Sequence, residues 1–134
     1  TRQGIEAVAT EFYSEEVEGQ THWFANDVRP PREPSPTAYV FSIFDEYTIG
    51  YKDRSAIGEQ EHGQRLQAMG NALQNVIIID GRIAGTWRRA IQKTTVHVEF
   101  SLLRPLTGPE IEAVNAAAAR YAKFLDLGLD AVYG

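Results

Sequence analysis

The dipeptide Asp80-Gly81 stands between two apolar runs, and it limits the fold more than any other feature of the chain. Aspartate followed by glycine favours the two-residue turn of a β-hairpin, because both residue types tolerate a positive φ angle. Such a turn would place Ile78 opposite Ile83 and Val76 opposite Gly85. The sequence therefore predicts an antiparallel hairpin centred on this turn.

A second two-residue turn at Gln92-Lys93 would extend the hairpin to a three-stranded antiparallel meander. It would place Trp87 opposite Val98 and Arg88 opposite His97. The two registers predict the same set of side chains on one face of the sheet: Ile78, Ile83, Trp87, Val96 and Val98. The strand before the first turn is apolar on its other face as well, so it needs cover on both sides.

Two further segments complete the predicted C-terminal domain, residues 38–134. Residues 38–44 form an apolar run rich in β-formers, which predicts a buried strand. The capping box Thr107-Gly108-Pro109-Glu110 predicts the start of a helix that runs to about Asp126. That helix has one apolar face, formed by Ile111, Val114, Ala118, Tyr121 and Leu125. Residues 128–134 are expected to be a surface tail, and the whole domain is expected to be an antiparallel β-barrel-like sheet with a C-terminal helix.

The N-terminal part has the pattern of half a winged helix. Residues 3–12 show one apolar helical face, and residues 13–24 predict a short hairpin with a turn at Glu18-Gly19. Residues 26–37 contain four of the six prolines, which predicts a semi-rigid linker. The predicted fold class is therefore α+β, with a partial winged helix at 1–25 joined by this linker to the β-barrel-like domain.

The composition excludes several classes of protein. Zero cysteines exclude a disulfide framework and a thiolate metal site, and they favour a cytoplasmic protein. The three histidines are scattered without ligand spacing, and the sequence has no P-loop, dinucleotide-binding glycine motif or nucleophile elbow. No apolar run is long enough to cross a membrane, and no signal peptide is present. We therefore expect no metal, no cofactor and no membrane partner.

The net charge of −5 is unevenly distributed. Residues 1–36 hold three arginines against seven acidic residues, whereas residues 82–104 hold five basic residues against Glu99 alone. A globally acidic chain is a poor candidate for unspecific DNA binding, but a local basic strip can contact phosphate. The candidate DNA-binding residues are three cations of this strip, Arg82, Arg88 and Arg89, and two earlier ones, Lys52 and Arg54.

Asp45 and Glu46, at the end of the predicted first strand of the domain, allow two interpretations. As a pair of carboxylates they would form an acid–base or ligand site, yet adjacent residues on a strand point to opposite faces. In the other interpretation they cap a helix or form ion pairs with Lys52 or Arg54.

The stretch Trp87-Arg88-Arg89 resembles a functional cluster more than any other in the sequence. Strand alternation places Trp87 in the core, Arg88 outward beside Glu99 or Thr86, and Arg89 on the side of Trp87 near the strand end. The two arginines either contact phosphate or a base, or they pair with acidic groups on the surface.

Two motifs carry a family resemblance: Phe44-Asp45-Glu46-Tyr47, with Gly50-Tyr51-Lys52-Asp53-Arg54-Ser55 after it, and Asp80-Gly81-Arg82, with Gly85-Thr86-Trp87-Arg88-Arg89 after it. In order and spacing they resemble the C-terminal portion of bacterial winged-helix DNA-binding-domain proteins, the family of the AlkZ-type DNA glycosylases. The resemblance implies tandem winged helices followed by a β-barrel-like domain, which together form a concave DNA-binding surface. It marks the cations Arg54, Arg88 and Arg89, and four further positions as structural or functional: Asp45, Glu46, Tyr47 and Trp87.

The glycosylase members of that family remove alkylated or crosslinked bases without a metal, through a Gln-containing motif in their N-terminal part. No residue of this chain matches that motif, so we expect no catalytic residue here, although the resemblance implies a DNA glycosylase as the full-length parent. The chain opens on Thr1 without an initiator Met. We expect a fragment whose partners are DNA and its own missing N-terminal winged helices.

The sequence leaves three functions open. The chain contributes to DNA binding within a full-length protein, as the motifs and the local basic strip indicate. Alternatively, it is a purely structural domain of a DNA-binding regulator, as the global acidity and the acidic hairpin indicate. The third interpretation is a stand-alone binder of small molecules in the interior of the barrel.

Overall fold

The structure, a computed structural model, divides into two compact units, Thr1–Glu33 and Pro34–Gly134. It describes the residues numbered 4, 8–17, 19–26, 34–50, 52, 54–58, 62–64 and 75–134. Each unit has hydrogen-bonded strands of its own, two strands in the first and five in the second.

The first unit contains a β-hairpin. A 3₁₀ turn at Ala9–Glu11 leads into β1 (Phe12–Val17), which pairs antiparallel with β2 (Gln20–Ala25). The predicted hairpin is therefore confirmed. The helix predicted over 3–12 lies partly outside the described residues, and its described end is 3₁₀ helix followed by strand. Most of the predicted linker, residues 27–33, also lies outside the described part of the chain, and the winged helix stays a prediction.

The second unit is a five-stranded sheet with a helix packed on one face. Its elements in chain order are β3 (Ala38–Phe41), α1 (Glu46–Ile49), a 3₁₀ turn (Ser55–Ile57), β4 (Val76–Ile79), β5 (Arg82–Ile91), β6 (Thr95–Leu102), α2 (Gly108–Phe124) and β7 (Gly128–Tyr133). The strands lie side by side in the order β3-β4-β5-β6-β7, antiparallel except for the parallel pair β6-β7. The α+β class with a C-terminal helix is confirmed.

Two expectations for this unit are wrong. The described strands form an open sheet rather than a closed barrel, with β3 and β7 at its edges. The segment 128–134, expected to be a surface tail, contains the edge strand β7, and the N–H of Gly128 donates to the carbonyl oxygen of Thr94 over 2.9 Å. Parallel pairing needs a long crossover, which α2 supplies. The short sequence of β7 alone does not show such a pairing.

The Asp80-Gly81 turn forms as predicted. The two residues have φ angles of +48° and +82°, which is the combination of a type I′ turn. Ile78 lies opposite Ile83, also as predicted. Beyond that pair the register shifts, and Gly85 lies opposite Ile77 instead of Val76. The strand β5 therefore carries an extra residue, which makes a β-bulge.

Gly85 permits this bulge because the sheet leaves no room for a side chain there. A Cβ atom at position 85 would lie 2.5 Å from the carbonyl oxygen of Ser101 on β6. The extra residue also reverses the alternation of side chains along β5. Ile83 and Trp87 consequently belong to buried clusters on opposite faces, so the expectation that they share one face is wrong.

The sheet has two different faces. The helix face is the one that α2 covers, and its core includes Ile77, Trp87 and Phe100, packed against Val114 of the helix. The other face, here named the Arg88 face, carries a second buried cluster at one end and Arg88 on the exposed part of β5. That second cluster consists of Ile57, Val76, Ile78, Ile83 and Leu103. The strand β4 is buried along its whole length, as its apolar sequence predicts.

The two-residue turn predicted at Gln92-Lys93 is wrong. The N–H of Gln92 donates to the carbonyl oxygen of Thr95 over 2.8 Å, so the two residues between them are Lys93 and Thr94, and the turn lies one residue further along the chain. The observed pairs across this hairpin are Trp87–Phe100, Arg88–Glu99 and Ala90–His97. Because side chains alternate with a period of two, this shift of two residues keeps Trp87 on one face with the valines of β6.

The helix α2 begins with the predicted capping box. The side chain of Thr107 accepts from the N–H of Glu110, and the carboxylate of Glu110 accepts from the N–H of Thr107 over 2.8 Å. Arg104 donates to the same carboxylate over 2.6 Å. The hydrogen bond from Arg104, together with that from the Thr107 backbone, lowers the pKa of Glu110 to about 2. The start of the helix is thus fixed by local contacts.

We expect Gly85→Ala to destabilise the protein, because the new methyl group would collide with the Ser101 backbone rather than with a movable side chain. Overpacking of this kind costs roughly 1–3 kcal/mol of unfolding free energy. Gly108→Ala is the matched control, since a Cβ at position 108 meets no atom within 4 Å. Urea unfolding of both variants measures the difference, and equal stabilities would contradict the bulge.

The contribution of Glu110 to stability should depend on pH. Its folded pKa is about 2, below its ordinary value of 4.5, so folding favours the ionised form. The contribution is complete above pH 4.5 and is lost as the pH falls through about 2. Glu110→Gln should lower the unfolding free energy at pH 7 by about 1 kcal/mol, since a cap is lost.

The difference between the native protein and Glu110→Gln should therefore shrink as chemical unfolding is repeated at lower pH. Glu112→Gln, which removes an exposed carboxylate from the same helix, is the control. A difference that stays constant from pH 7 to pH 2 would show that the Arg104 contact does not stabilise the fold.

Candidate nucleic-acid interface

Asp45 begins the short helix α1. Its backbone is extended, with φ −62° and ψ 131°, and its carboxylate accepts a hydrogen bond from the N–H of Tyr47 over 3.0 Å. This is the geometry of an N-cap. Glu46 occupies the first turn, where the helix dipole favours a negative charge. In the first motif, therefore, the side chain of Asp45 stabilises the start of α1.

Tyr47 connects the first motif to the Asp80-Gly81 turn. Its hydroxyl donates to the carbonyl oxygen of Gly81 over 2.7 Å, although 34 residues separate the two in the chain. Its ring packs edge-on against Phe41 at 5.6 Å between ring centroids. Partial burial raises the pKa of Tyr47 above its ordinary value. The hydroxyl is thus a neutral hydrogen-bond donor over the physiological pH range.

Trp87 makes the reciprocal connection from the second motif. Its side chain is 2% exposed, and its Nε1–H donates to the carbonyl oxygen of Phe41 over 2.8 Å. The ring therefore belongs to the core, as predicted, and its polar atom is satisfied. Because Phe41 contacts both Tyr47 and Trp87, the two motifs hold each other in place through this residue.

The side chain of Asp80 fixes the segment that precedes β3. Its two carboxylate oxygens accept from the hydroxyl of Ser35 and from the N–H of Thr37, each over 2.8 Å. The N–H of Asp80 donates in return to the carbonyl oxygen of Thr37 over 3.0 Å. The turn thus joins three parts of the second unit: residues 35–37, the helix α1 and the hairpin itself.

Arg89 is held on the helix face. Its Nη1 donates a hydrogen bond to the hydroxyl of Tyr121 on α2, and its guanidinium carbon lies 5.4 Å from the centroid of the Tyr121 ring. The same ring packs edge-on against Trp87 at 5.1 Å. Arg89 therefore lies on the side of Trp87, as predicted. Its guanidinium interacts with Tyr121, which in turn packs against Trp87.

Arg88 lies on the other face, exposed on β5 and opposite Glu99. Among the described residues its guanidinium forms no hydrogen bond or ion pair. Two pairs further along the strands lies His97, whose Nδ1 is 2.9 Å from a carboxylate oxygen of Asp130. Arg88 thus lies in a polar part of the Arg88 face, and the carboxylate of Glu99 opposite it does not bind it.

The other candidate cations do not join it in one continuous strip. Arg82 follows the Asp80-Gly81 turn, and its guanidinium lies near Gly58, where an added Cβ would come within 3.7 Å. Lys52 is exposed and Arg54 is partly buried. Arg104 is paired with Glu110 over 2.6 Å. The excess of positive charge in residues 82–104 is thus divided between both faces of the sheet and its loops.

The described residues give no sign of a metal centre or a membrane segment. Within them, no three histidine, aspartate or glutamate side chains come together as metal ligands. None of the helices found in that part of the chain is long and apolar enough to span a bilayer.

Two residues of the site were not foreseen from the sequence. Phe41 matters through its backbone oxygen, which accepts from Trp87, and no sequence pattern reports that contact. Tyr121 was assigned to the apolar face of α2, but its hydroxyl binds Arg89. A hydroxyl on an otherwise apolar helical face was the available signal for a polar partner.

Comparison with known proteins identifies relatives of the chain. A family model described as "DNA glycosylase AlkZ-like" matches residues 1–124. The solved structure of the Streptomyces sahachiroi DNA glycosylase AlkZ is similar in fold, with a TM-score of 0.65 and 20% sequence identity. The match covers 98% of this chain and 36% of that protein, so the chain spans about a third of its length. No curated protein matches.

The cap at Asp45 predicts a clear difference between two substitutions. Asp45→Ala removes the acceptor for the Tyr47 N–H, and loss of an N-cap costs about 1 kcal/mol of unfolding free energy. Asp45→Asn is the matched control, because asparagine caps helices as well as aspartate does. Thermal unfolding compares the two. If both substitutions destabilise the protein equally, the carboxylate charge matters and the cap does not explain this residue.

Proposed function

Because the chain belongs to the family of the AlkZ-like DNA glycosylases, we propose that it is the C-terminal module of such a protein and forms part of its DNA-binding surface. The parent would hydrolyse the N-glycosyl bond of damaged bases with catalytic residues that lie outside this chain. The module would act together with N-terminal winged helices and would need no metal or cofactor.

The observation that carries this proposal is the position of Arg88. Its guanidinium is exposed on a central strand and has no partner among the described residues. A strand inside a five-stranded sheet is a rigid support, so no backbone has to become ordered when Arg88 binds a ligand. Arginine binds phosphate through two parallel hydrogen bonds. Arg88 is therefore the residue that we assign to the DNA backbone.

The hairpin of the first unit is a poor candidate for the same role. Glu15 and Glu16 are both exposed on β1. Carboxylates at these positions would repel phosphate, which disfavours a contact between this hairpin and the DNA backbone. This supports a DNA contact through the sheet and not through the hairpin.

The second candidate function is a scaffold for the rest of the parent protein. The contacts between the two motifs favour it, because four motif residues use their polar groups for hydrogen bonds within the second unit. These residues are Asp45, Tyr47, Asp80 and Trp87. In that case the module would shape the DNA-binding surface without touching DNA. The two functions differ in one respect, which is whether Arg88 contacts phosphate.

We expect Arg88→Ala in the full-length parent to weaken binding to duplex DNA and to reduce its salt dependence. Loss of one phosphate contact lowers the slope of log affinity against log salt concentration by about 1. Fluorescence anisotropy over a salt series measures both quantities.

Arg89→Ala is the matched control, since it removes the same charge one residue away. It should lower the melting temperature, because the Tyr121 contact is lost, and should leave the salt slope unchanged. If Arg88→Ala changes neither affinity nor slope in a parent that binds DNA, the scaffold function holds and the DNA contact is wrong.

A further inference from the structure

Phe44 combines two unusual properties. Its backbone has a φ of +63°, in the left-handed region that β-carbon crowding makes costly for every residue except glycine. Its side chain is 73% exposed to solvent. The folded state therefore carries the cost of the strained backbone without gaining stability from burial of the ring.

The other described non-glycine residues with positive φ have an evident reason for it. Asp80, with φ +48°, belongs to the type I′ turn, and Asp126, with φ +56°, follows the C-terminus of α2. Aspartate tolerates this conformation better than a bulky residue does. Phe44 has neither the favourable residue type nor a buried position.

The turn itself does not require phenylalanine. The N–H of Asp45 donates to the carbonyl oxygen of Ser42 over 3.3 Å, which closes the turn between β3 and α1 through backbone atoms. Glycine at position 44 would make the same turn without strain. The aromatic ring therefore serves something other than this local structure.

The segment that holds Phe44 lies on the Arg88 face of the sheet. Phe41, three residues earlier, packs on the buried cluster of that face, and Tyr47 packs on Phe41. Through the pairs Phe41–Val76 and Val76–Thr86, this segment is aligned with the strand that carries Arg88. Two strand spacings, about 10 Å, separate Phe41 on β3 from Thr86 on β5, two residues before Arg88. A DNA strand that crosses β3 and β4 from this segment therefore reaches the strand that carries Arg88.

We propose that Phe44 stacks on an unpaired nucleobase of the DNA that Arg88 holds by its phosphate. The inference rests on the proposed function, because it needs DNA on the Arg88 face. Every unpaired base presents a flat π surface, so an exposed aromatic ring binds single-stranded or locally opened DNA without depending on sequence. The strained turn presents the ring to solvent before DNA arrives, which avoids the cost of exposing it during binding.

Three substitutions in the full-length parent test this role. Phe44→Gly should raise the melting temperature, because the strain is relieved, and should weaken binding to single-stranded DNA about 10-fold, the equivalent of one stacked base. Phe44→Trp should retain the affinity, and its added indole fluorescence should be quenched when single-stranded DNA is titrated in. Phe124→Ala is the control: Phe124 is 84% exposed on α2, and its loss should change none of these quantities.

Each result separates the inference from the proposed function. If Phe44→Gly leaves the affinity within twofold while Arg88→Ala weakens it, the proposed function stands and the stacking role is wrong. If Phe44→Gly lowers the melting temperature, the ring packs against another part of the parent protein, and the stacking role is also wrong. If the parent shows no DNA binding at low salt, both proposals fail.

Discussion

The hydrogen bond from the Tyr47 hydroxyl to the Gly81 carbonyl oxygen joins the two motifs of the chain, and the rest of the sheet depends on this junction. It places α1 beside the type I′ turn, while the Asp80 carboxylate holds residues 35–37 at the same turn. The Nε1–H of Trp87 donates to the backbone carbonyl oxygen of Phe41, the residue on which Tyr47 packs. Removal of any one of these contacts leaves a polar group without its partner, so they stabilise the fold as a set.

The bulge at Gly85 determines which side chains of β5 lie on each face of the sheet. An unbulged β5 would place Arg88 and Ile83 on opposite faces, and the extra residue brings them onto the same one. Arg88 thereby shares a face with the segment that follows β3, whereas Arg89 turns toward α2 and Tyr121. Two adjacent arginines of identical type therefore have different environments, which is why we assign them different functions.

Sequence reasoning succeeded where the determining contacts are local. The Asp80-Gly81 turn and the Thr107–Glu110 capping box depend on residues at most three apart, and both formed as predicted. The bulge was missed because it depends on the Ser101 carbonyl, and the partner of Arg89 was missed because Tyr121 lies 32 residues further along. The closed barrel was wrong for a similar reason, since the parallel position of β7 depends on how α2 crosses the sheet.

We propose that Arg88, and not Arg89, contacts the DNA backbone. Nuclear magnetic resonance of the arginine Nε–Hε groups in the full-length parent distinguishes the two residues, because these protons report a new phosphate hydrogen bond at the residue concerned. On titration with duplex DNA, the Arg88 signal should shift while the Arg89 signal stays in place. A shift of the Arg89 signal with the Arg88 signal unchanged would overturn this assignment.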